Sequence, residues 1–299
     1  MCRGIWRVKP VRKPQNRLTK IFFLIKMAAY LKGIQMTFYI DFIADYGATT
    51  GNDDLAFSEV NCKLAEEFLK QSLDLPMIKN LSVRPFNTVE TGFAVAQLAC
   101  NSKLGKRHII YHNTAPRKDK LDARLNNAGE FLAVTELPNG VRIIGVFGGY
   151  TFAFTTSPVY RVKCADAGSQ FRSRDVFPPC VASLAKHADK PLSAWELLGD
   201  QITDVPTIPK NTICSIDGYG NLKTTIEMNN NIRSISIKGI TFPIVQGQGI
   251  FSVPDGQLIL APGSSGWNGN YFTEVCLRGG SASKLFDGPV PGDVVTLLD

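Results

Sequence analysis

The sequence has 299 residues, of which 44% are hydrophobic and 20% charged, a composition typical of globular proteins and not of disordered chains. Its net charge of +7 arises from residues 1–35, which contain nine of the 33 Lys and Arg residues and no Asp or Glu. The rest of the chain is nearly neutral and offers no basic face, so we expect no nucleic-acid partner.

Residues 1–35 form a basic leader with two short apolar runs, residues 21–25 and 27–31. Single lysines end both runs, and neither is long enough to span a bilayer, so we expect no membrane partner. We predict that the leader is disordered, or that the working start of the chain is Met36. A docked helix and a targeting signal are the alternatives, although no clean cleavage site follows the apolar runs.

The seven cysteines are widely scattered and include no Cys-x-x-Cys pair. An odd, scattered set favours free thiols in a reducing cytoplasm over a disulfide framework. The three histidines, His108, His112 and His187, lack the spacing of metal ligands. We therefore expect a cytoplasmic protein without a metal or redox cofactor.

Strand-like and helix-like segments alternate after residue 36. Strands are predicted over residues 37–45, 77–83 and 107–111, helices over residues 54–73, 89–99 and 175–187, and a hairpin over residues 130–136 and 141–147. Alternation of this kind favours an α/β domain with a mostly parallel sheet, which we place at residues 36–190.

The pattern changes after the last predicted helix. Three prolines mark residues 191–211 as a linker, and the chain beyond them consists of short strands and Gly-rich turns. This second pattern predicts an all-β domain over residues 212–299, built as a small barrel or sandwich. The predicted fold class is therefore an N-terminal α/β domain followed by a C-terminal all-β, barrel-like domain.

The segment ICSIDGYGNLKTTI, residues 213–226, predicts two strands joined by a tight turn. The turn carries Asp217, Tyr219 and Asn221 between two glycines. An aromatic face beside an amide suits a flat nitrogenous ring such as adenine. The alternative is an ordinary polar hairpin turn, because Asp, Gly and Asn are the usual turn residues.

Asp45 ends the first predicted strand. In open α/β sheets, ligands bind at the carboxyl ends of the strands. A carboxylate in that position can accept hydrogen bonds from the paired hydroxyls of a ribose. Capping of the following helix is the alternative role for Asp45, and Asp53 or Asp54 is better placed for it.

Residues 169–179, SQFRSRDVFPP, place Ser173 between Arg172 and Arg174. Asp175 is predicted to cap the helix that follows. A helix N-terminus flanked by two arginines favours an anion near Ser173. The alternative is a solvated loop that ends in a helix cap.

In their order along the chain, these segments resemble the motifs of the S-adenosyl-L-methionine hydroxide adenosyltransferase family, which includes fluorinases and chlorinases. The resemblance runs from about residue 37 to the C-terminus at low overall similarity. The matching segments are Ala44-Asp45-Tyr46-Gly47 with Asp53-Asp54, residues 170–177, residues 216–221 (IDGYGN, the best match), and residues 268–275 with Gly280-Ser281-Ala282.

The resemblance implies a homotrimer whose adenosyl ligand lies between the N-terminal domain of one subunit and the C-terminal domain of its neighbour. It implies that Asp45 holds the ribose hydroxyls, with Phe86 near the ribose. It further implies that Tyr219 stacks on adenine while Asn221 and the Ala282 backbone read its edge. The motifs add three further candidate binding residues: Asp53, Asp217 and Asn268.

The same resemblance implies the reaction. A nucleophile attacks C5′ of S-adenosyl-L-methionine, and methionine leaves from the sulfonium. The leaving group is already activated by its charge, so the protein must align the nucleophile and remove its water. S-adenosyl-L-methionine is then the substrate, and no cofactor is required.

The candidate catalytic residues depart from the hydrolytic members of the family. Asn113 stands where those members carry an Asp, Arg172 stands where they carry a His, and Arg124 is the candidate for their Arg at a longer spacing. An Asn cannot accept a proton as a carboxylate does. Ser173 falls where fluorinases carry a serine that contacts halide.

Three functions remain open at this point. In the first, which we favour, water is the nucleophile and the products are adenosine and L-methionine. In the second, halide or another anion attacks, as in chlorinases and fluorinases. In the third, the chain binds an adenosyl ligand without cleaving it, or acts on a different nucleoside.

Overall fold

The computed structural model describes residues 37–47, 54–114, 130–165, 169–229 and 231–299, which form a mixed α/β arrangement with several sheets. The largest is a seven-stranded sheet in the order β2-β1-β3-β5-β4-β6-β7. Its strands are β1 (Tyr39–Ala44), β2 (Met77–Ser82), β3 (His108–Asn113), β4 (Leu132–Glu136), β5 (Arg142–Val146), β6 (Val159–Val162) and β7 (Leu198–Ile202).

The seven-stranded sheet is parallel in one half only. β2, β1, β3 and β5 are parallel neighbours, whereas β4 pairs antiparallel with β5 and β6, and β6 pairs antiparallel with β7. The prediction of a mostly parallel sheet is therefore wrong for the second half. A short hairpin turn at residues 138–140 reverses the chain between β4 and β5, and only an antiparallel pair can be joined so tightly.

Helices cover both faces of this sheet. The described helices are α1 (Leu55–Lys70), α2 (Thr88–Asn101), α3 (Arg172–Asp175), α4 (Pro178–Lys186) and α5 (Ala282–Leu285). α1 and α4 pack on one face, where Phe42 and Tyr111 lie in the core, and α2 packs on the other, where Ile43 and Ile110 lie. Because both faces are covered, β1 and β3 are buried almost throughout.

Two further sheets form the part of the chain after β7. Their strands are β8 (Ile213–Ile216), β9 (Leu222–Thr224), β10 (Ser234–Ile237), β11 (Ile240–Pro243), β12 (Val245–Gln246), β13 (Leu258–Trp267), β14 (Asn270–Leu277) and β15 (Val295–Leu298). One sheet has the order β12-β13-β14-β9-β8 and the other β11-β10-β15. Leu222 and Leu260 of the first sheet share a buried core with Ile235 and Val295 of the second.

The predicted helix over residues 175–187 is wrong at its start. The chain forms the single turn α3 and then begins α4 at Pro178. Proline has no backbone N–H and fits a helix only in its first turn, so the helix restarts there. Asp175 closes α3, where its carboxylate binds Arg174 and Ser169, and it does not cap α4.

The stretch predicted as a linker, residues 191–211, contains β7, which pairs antiparallel with β6. Neither β6 (VYRV) nor β7 (LGDQI) was predicted, because both segments are short and carry charged residues.

By contrast, Asp54 caps α1 as predicted, since its side chain accepts a hydrogen bond of 2.9 Å from the backbone N–H of Ala56.

Within the described ranges, no helix is long and apolar enough to cross a membrane. In the same ranges, no three His, Cys, Asp or Glu side chains are grouped so that they could hold a metal ion. The basic leader, residues 1–35, lies outside the described residues.

Candidate functional site

Asp45 follows β1 directly, at the carboxyl end of the parallel strands. Its Oδ2 accepts a hydrogen bond of 2.9 Å from the backbone N–H of Phe86. Phe86 has a φ of 61°, in the left-handed region that few residues other than glycine occupy. This strained turn between β2 and α2 brings Phe86 to the Asp45 carboxylate, and 44% of the Phe86 side chain remains exposed.

Tyr46 links Asn113 to Ser173. The Nδ2 of Asn113 donates a hydrogen bond of 2.7 Å to the phenol oxygen of Tyr46. That oxygen lies 2.6 Å from the Oγ of Ser173. Since the phenol oxygen already accepts from Asn113, its own proton can be donated to Ser173. We call Asp45, Tyr46, Phe86, Asn113 and Ser173 the sheet-edge group.

The Tyr46 side chain is held firmly. Its ring makes edge contacts with Phe42, Phe57 and Phe171, and its backbone carbonyl accepts a hydrogen bond of 2.6 Å from Ser82 Oγ. Burial raises the pKa of the Tyr46 phenol far above its usual value. Tyr46 is therefore protonated at neutral pH and acts as a hydrogen-bond donor, not as a base.

Ser173 is buried on α3, where a second tyrosine fixes its backbone. The Tyr111 hydroxyl donates a hydrogen bond of 2.8 Å to the Ser173 carbonyl, and the Tyr111 ring stacks on Phe42 at 4.7 Å between centroids. Tyr46 at the end of β1 and Tyr111 on β3 thus fix the hydroxyl and the backbone of Ser173.

The arginines beside Ser173 are paired. Arg172 donates a hydrogen bond of 2.8 Å to the Glu130 carbonyl and lies over the Phe177 ring. Arg174 forms ion pairs with Asp175 at 2.7 Å and with Glu59 at 3.4 Å. Asp175 and Glu59 therefore partly neutralise the positive field predicted around Ser173, and of these two residues only Glu59 was not expected near Ser173 from the sequence.

The turn between β8 and β9 carries the next predicted residues. The Asp217 carboxylate accepts hydrogen bonds from the backbone N–H of Tyr219 at 2.9 Å and of Asn221 at 3.0 Å, and from the Asn221 side chain at 3.1 Å. Asp217 thus stabilises its own turn, as the polar-hairpin interpretation expects. The Tyr219 side chain is 82% exposed, so its ring is accessible for stacking.

The same turn packs against the start of α5. Gly220 has a φ of 85°, and a Cβ at this position would overlap the Oγ of Ser281. The backbone N–H of Ser283 donates a hydrogen bond of 2.9 Å to the Gly220 carbonyl. The turn therefore lies against the segment that contains Ala282. We call Asp217, Tyr219, Asn221 and Ala282 the turn group.

Asn268 lies apart from both groups. It occupies the exposed turn between β13 and β14 with a φ of 53°. The neighbouring Gly266 is held by hydrogen bonds of 2.8 Å to Gln97 and Asn101, near the C-terminal end of α2. Phe86 precedes the opposite end of that helix, so about 15–20 Å separate Asn268 from the sheet-edge group within one chain. The candidates Asp53 and Arg124 lie outside the described residues.

Sequence reasoning missed the roles of Tyr46 and Tyr111. The sequence indicated Tyr46 only as a member of the motif Ala44-Asp45-Tyr46-Gly47, and Tyr111 only as the last residue of the strand predicted over residues 107–111. The available signal was their position, since polar side chains at the carboxyl ends of parallel strands meet at one edge of the sheet.

The fold and the sheet-edge group define a mixed α/β protein with a candidate small-molecule site at the carboxyl ends of parallel strands. Two solved structures are similar over their full lengths. An uncharacterized conserved protein from Thermotoga maritima has a TM-score of 0.60 and 16% sequence identity, covering 87% of this chain and 100% of that chain. A conserved hypothetical protein from Thermus thermophilus has a TM-score of 0.57 and 18% identity, covering 88% of this chain and 100% of that chain.

At these identities, the likeness shows a shared fold alone. No protein-family model and no curated protein matches the sequence.

Proposed function

We propose that this protein cleaves S-adenosyl-L-methionine at C5′ with water as the nucleophile, releasing adenosine, L-methionine and a proton. One observation carries the proposal: the Asp45 carboxylate is fixed by the Phe86 backbone at the edge of the sheet, beside the hydrogen-bonded chain of Asn113, Tyr46 and Ser173.

Asp45 is suited to hold a ribose. An ionised carboxylate only accepts hydrogen bonds, and its two oxygens offer about four acceptor positions. The two hydroxyls of a ribose are adjacent donors that fit such a group. The bond from Phe86 orients the carboxylate before the ligand arrives, which reduces the entropy that binding must overcome.

The hydroxyls of the sheet-edge group are suited to orient a water molecule. Ser173 and Asn113 each present an oxygen that can accept a hydrogen bond from water, which directs a water lone pair toward C5′. Tyr46 stays protonated, so it orients its partners without removing a proton. As the C–O bond forms, the C5′–S bond of the sulfonium breaks and methionine leaves as a neutral thioether, which needs no acid catalysis. The attacking oxygen then loses its extra proton to solvent. Alignment and removal of excess water then supply the rate.

The turn group would bind the adenine. Tyr219 is exposed at its turn and Asn221 lies beside it. We propose that a neighbouring subunit supplies this group, so that the active form is a cytoplasmic homotrimer. The division into an α/β domain and a barrel-like β domain belongs to the same proposal, with the boundary after β7 and within residues 191–211.

A halide nucleophile is the second candidate, and the burial of Ser173 favours it. When the Tyr46 phenol donates to the Ser173 oxygen, the buried Ser173 hydroxyl can donate its own O–H to an anion that has lost its water. The pairing of Arg172 and Arg174 with other groups weighs against a strongly anion-binding site.

The test is to incubate the purified protein with S-adenosyl-L-methionine, with and without chloride or fluoride, and to separate the nucleosides by chromatography. Adenosine without halide supports the proposal, and a halide-dependent 5′-halonucleoside supports the second candidate. Asp45→Asn should abolish product, whereas Asp204→Asn, at an exposed position, should not. Binding without turnover would indicate a protein that binds the adenosyl ligand without cleaving it. The absence of both binding and turnover would overturn both candidates.

The trimer is tested by mixing subunits. Asp45→Asn and Tyr219→Ala should each be inactive alone. If one site takes Asp45 from one subunit and Tyr219 from the next, unfolding and refolding the two variants together should restore part of the activity. A mixture as inactive as its components would place each site within a single chain.

A further inference from the structure

A second group of reactive side chains lies toward the amino ends of β1 and β3, away from the sheet-edge group at their carboxyl ends. The Nε2 of His108 is 2.9 Å from the Oδ2 of Asp41, and its Nδ1 is 2.7 Å from the Oγ of Ser102. His108 begins β3 and Asn113 ends it, so about 17 Å separate this group from the sheet-edge group. The group therefore has no part in the site described above.

The fold itself assembles these three residues. Asp41 and His108 lie on the neighbouring strands β1 and β3, where alternate side chains point to the same face. Ile43 and Ile110 of this alternation pack in the core beneath α2, so Asp41 and His108 face α2 as well. Ser102 is the C-cap residue that follows α2, and its side chain reaches His108.

The acid and the base of this group are buried and the hydroxyl is partly exposed, which is the arrangement that nucleophilic catalysis needs. Asp41 is 3% exposed and His108 is 4% exposed, whereas Ser102 is half-buried between the exposed residues Asn101 and Lys103. A buried acid therefore orients a buried base, and the base reaches a hydroxyl at the surface.

Hydrogen bonding determines which nitrogen acts as the base. Asp41, as a carboxylate, only accepts, so the imidazole proton lies on Nε2 and the lone pair of Nδ1 faces the Ser102 hydroxyl. The C-terminal end of α2 carries partial negative charge, which stabilises the imidazolium that forms when Ser102 gives up its proton. The Leu104 N–H, 3.2 Å from the Ser102 Oγ, helps to hold that oxygen in place.

We propose that Ser102, His108 and Asp41 form a second catalytic centre, which hydrolyses esters by acyl transfer. Ser102 Oγ bonds to the ester carbonyl carbon while its proton moves to His108 Nδ1. The bond from that carbon to the alcohol oxygen breaks, and the alcohol takes the proton. Water then adds to the acyl carbon and gives a proton to His108. His108 returns it to Ser102 as the acyl bond to Oγ breaks, so ester and water become acid and alcohol.

The surface around Ser102 indicates the substrate class. Lys103, Lys106 and Arg107 are exposed within five residues of the serine. Their positive charges raise the local concentration of anions. The favoured substrates are small esters that carry a carboxylate or phosphate group.

The test uses the full chain and a fluorophosphonate probe, which labels activated serines, followed by mass spectrometry of the peptides. Hydrolysis of 4-nitrophenyl acetate and of the 4-nitrophenyl monoester of succinate is measured in parallel. We expect the label on Ser102, faster hydrolysis of the anionic ester, and a loss of at least about a hundredfold in Ser102→Ala. His108→Gln should keep the serine but lose the labelling.

Ser236→Ala, a half-buried serine on β10, is the matched control and should hydrolyse both esters at the wild-type rate. The proposal is overturned if Ser102 is not labelled, or if Ser102→Ala hydrolyses esters as fast as the wild type. A change in the unfolding midpoint of Ser102→Ala without a change in hydrolysis would show that Ser102 has only a structural role, as the C-cap of α2.

Discussion

The hydroxyls of Tyr46 and Ser173 are joined by a hydrogen bond of 2.6 Å, although 127 residues separate them along the chain. Because Asn113 binds the same phenol oxygen, one atom connects the ends of β1 and β3 to α3. The position of the Ser173 hydroxyl therefore depends on Tyr46, and so would the position of any nucleophile that Ser173 contacts.

Tyr46→Phe removes this oxygen and keeps the ring contacts. Ser173 and Asn113 then lose a buried partner, which should lower the free energy of unfolding by about 1–3 kcal/mol. If the proposed function is right, kcat for adenosine formation falls by about 10- to 100-fold with little change in KM, because the nucleophile is misplaced while Asp45 still holds the ribose. Urea unfolding and initial rates measure the two effects.

The exposed Tyr271 provides the control for that substitution, and Tyr271→Phe should change neither quantity. If Tyr46→Phe unfolds at the wild-type urea concentration, the phenol oxygen is not a buried structural link. If it cleaves at the wild-type rate, Ser173 is not positioned through Tyr46.

Gly220→Ala tests the close approach of the turn group to α5. A Cβ at residue 220 would overlap Ser281, and the φ of 85° is unfavourable for alanine. We expect a loss of about 1–3 kcal/mol in the free energy of unfolding, measured by urea denaturation. Gly218→Ala is the matched control, because a Cβ there meets nothing within 4 Å, and its loss should stay below about 0.5 kcal/mol. Equal stability of the two variants would contradict the observed packing.

The sequence predicted the elements that strong local patterns specify. β1 is an apolar, β-branched run, and α1 has apolar residues at helical spacing, so both were predicted to within three residues at each end. β6 and β7 lack such a pattern. They are strands because β4 offers them an edge to pair with, and that edge exists only after the sheet has formed.

The candidate site was predictable to a similar degree. The motifs indicated Asp45 and Asn221 because each stands in a recognisable local pattern. The hydrogen bond between Tyr46 and Ser173 and the ion pair between Arg174 and Glu59 join residues far apart in the chain. Neither partner carries a local signal for the other, so these contacts could not be predicted from periodicity or spacing.

Arg142→Met should destabilise the protein strongly. Arg142 is fully buried, and its guanidinium donates to Glu136 at 2.6 Å and to the carbonyls of Leu184 and Lys190 at 3.2 and 2.7 Å. Removing it leaves a carboxylate and two carbonyls without these donors, at a cost of about 3–5 kcal/mol. Glu136→Gln keeps an acceptor and should cost less. Urea unfolding distinguishes the two, and a larger loss in Glu136→Gln would contradict the argument.

His112 makes the stability of the fold depend on pH. Its ring packs against Phe152, and neither ring nitrogen has a hydrogen-bond partner among the described residues. Burial lowers the pKa of His112 to about 3, whereas the imidazole in an unfolded chain has a pKa of about 6.5. Between these values only the unfolded state binds the proton. The free energy of unfolding therefore decreases as the pH falls below about 6.5, by about 1.4 kcal/mol per pH unit from this group.

His112→Leu removes the group that titrates, along with two buried polar atoms that lack partners among the described residues. Relative to the wild type, the variant should gain stability steadily as the pH falls, by about 2–3 kcal/mol between pH 7 and pH 4.5, since only the wild type carries this linkage cost. Urea unfolding across that range measures the difference. His187→Gln, a substitution at the end of α4, should keep the wild-type slope. Parallel pH profiles for His112→Leu and the wild type would show that His112 is protonated or solvated in the folded protein, contrary to its observed burial.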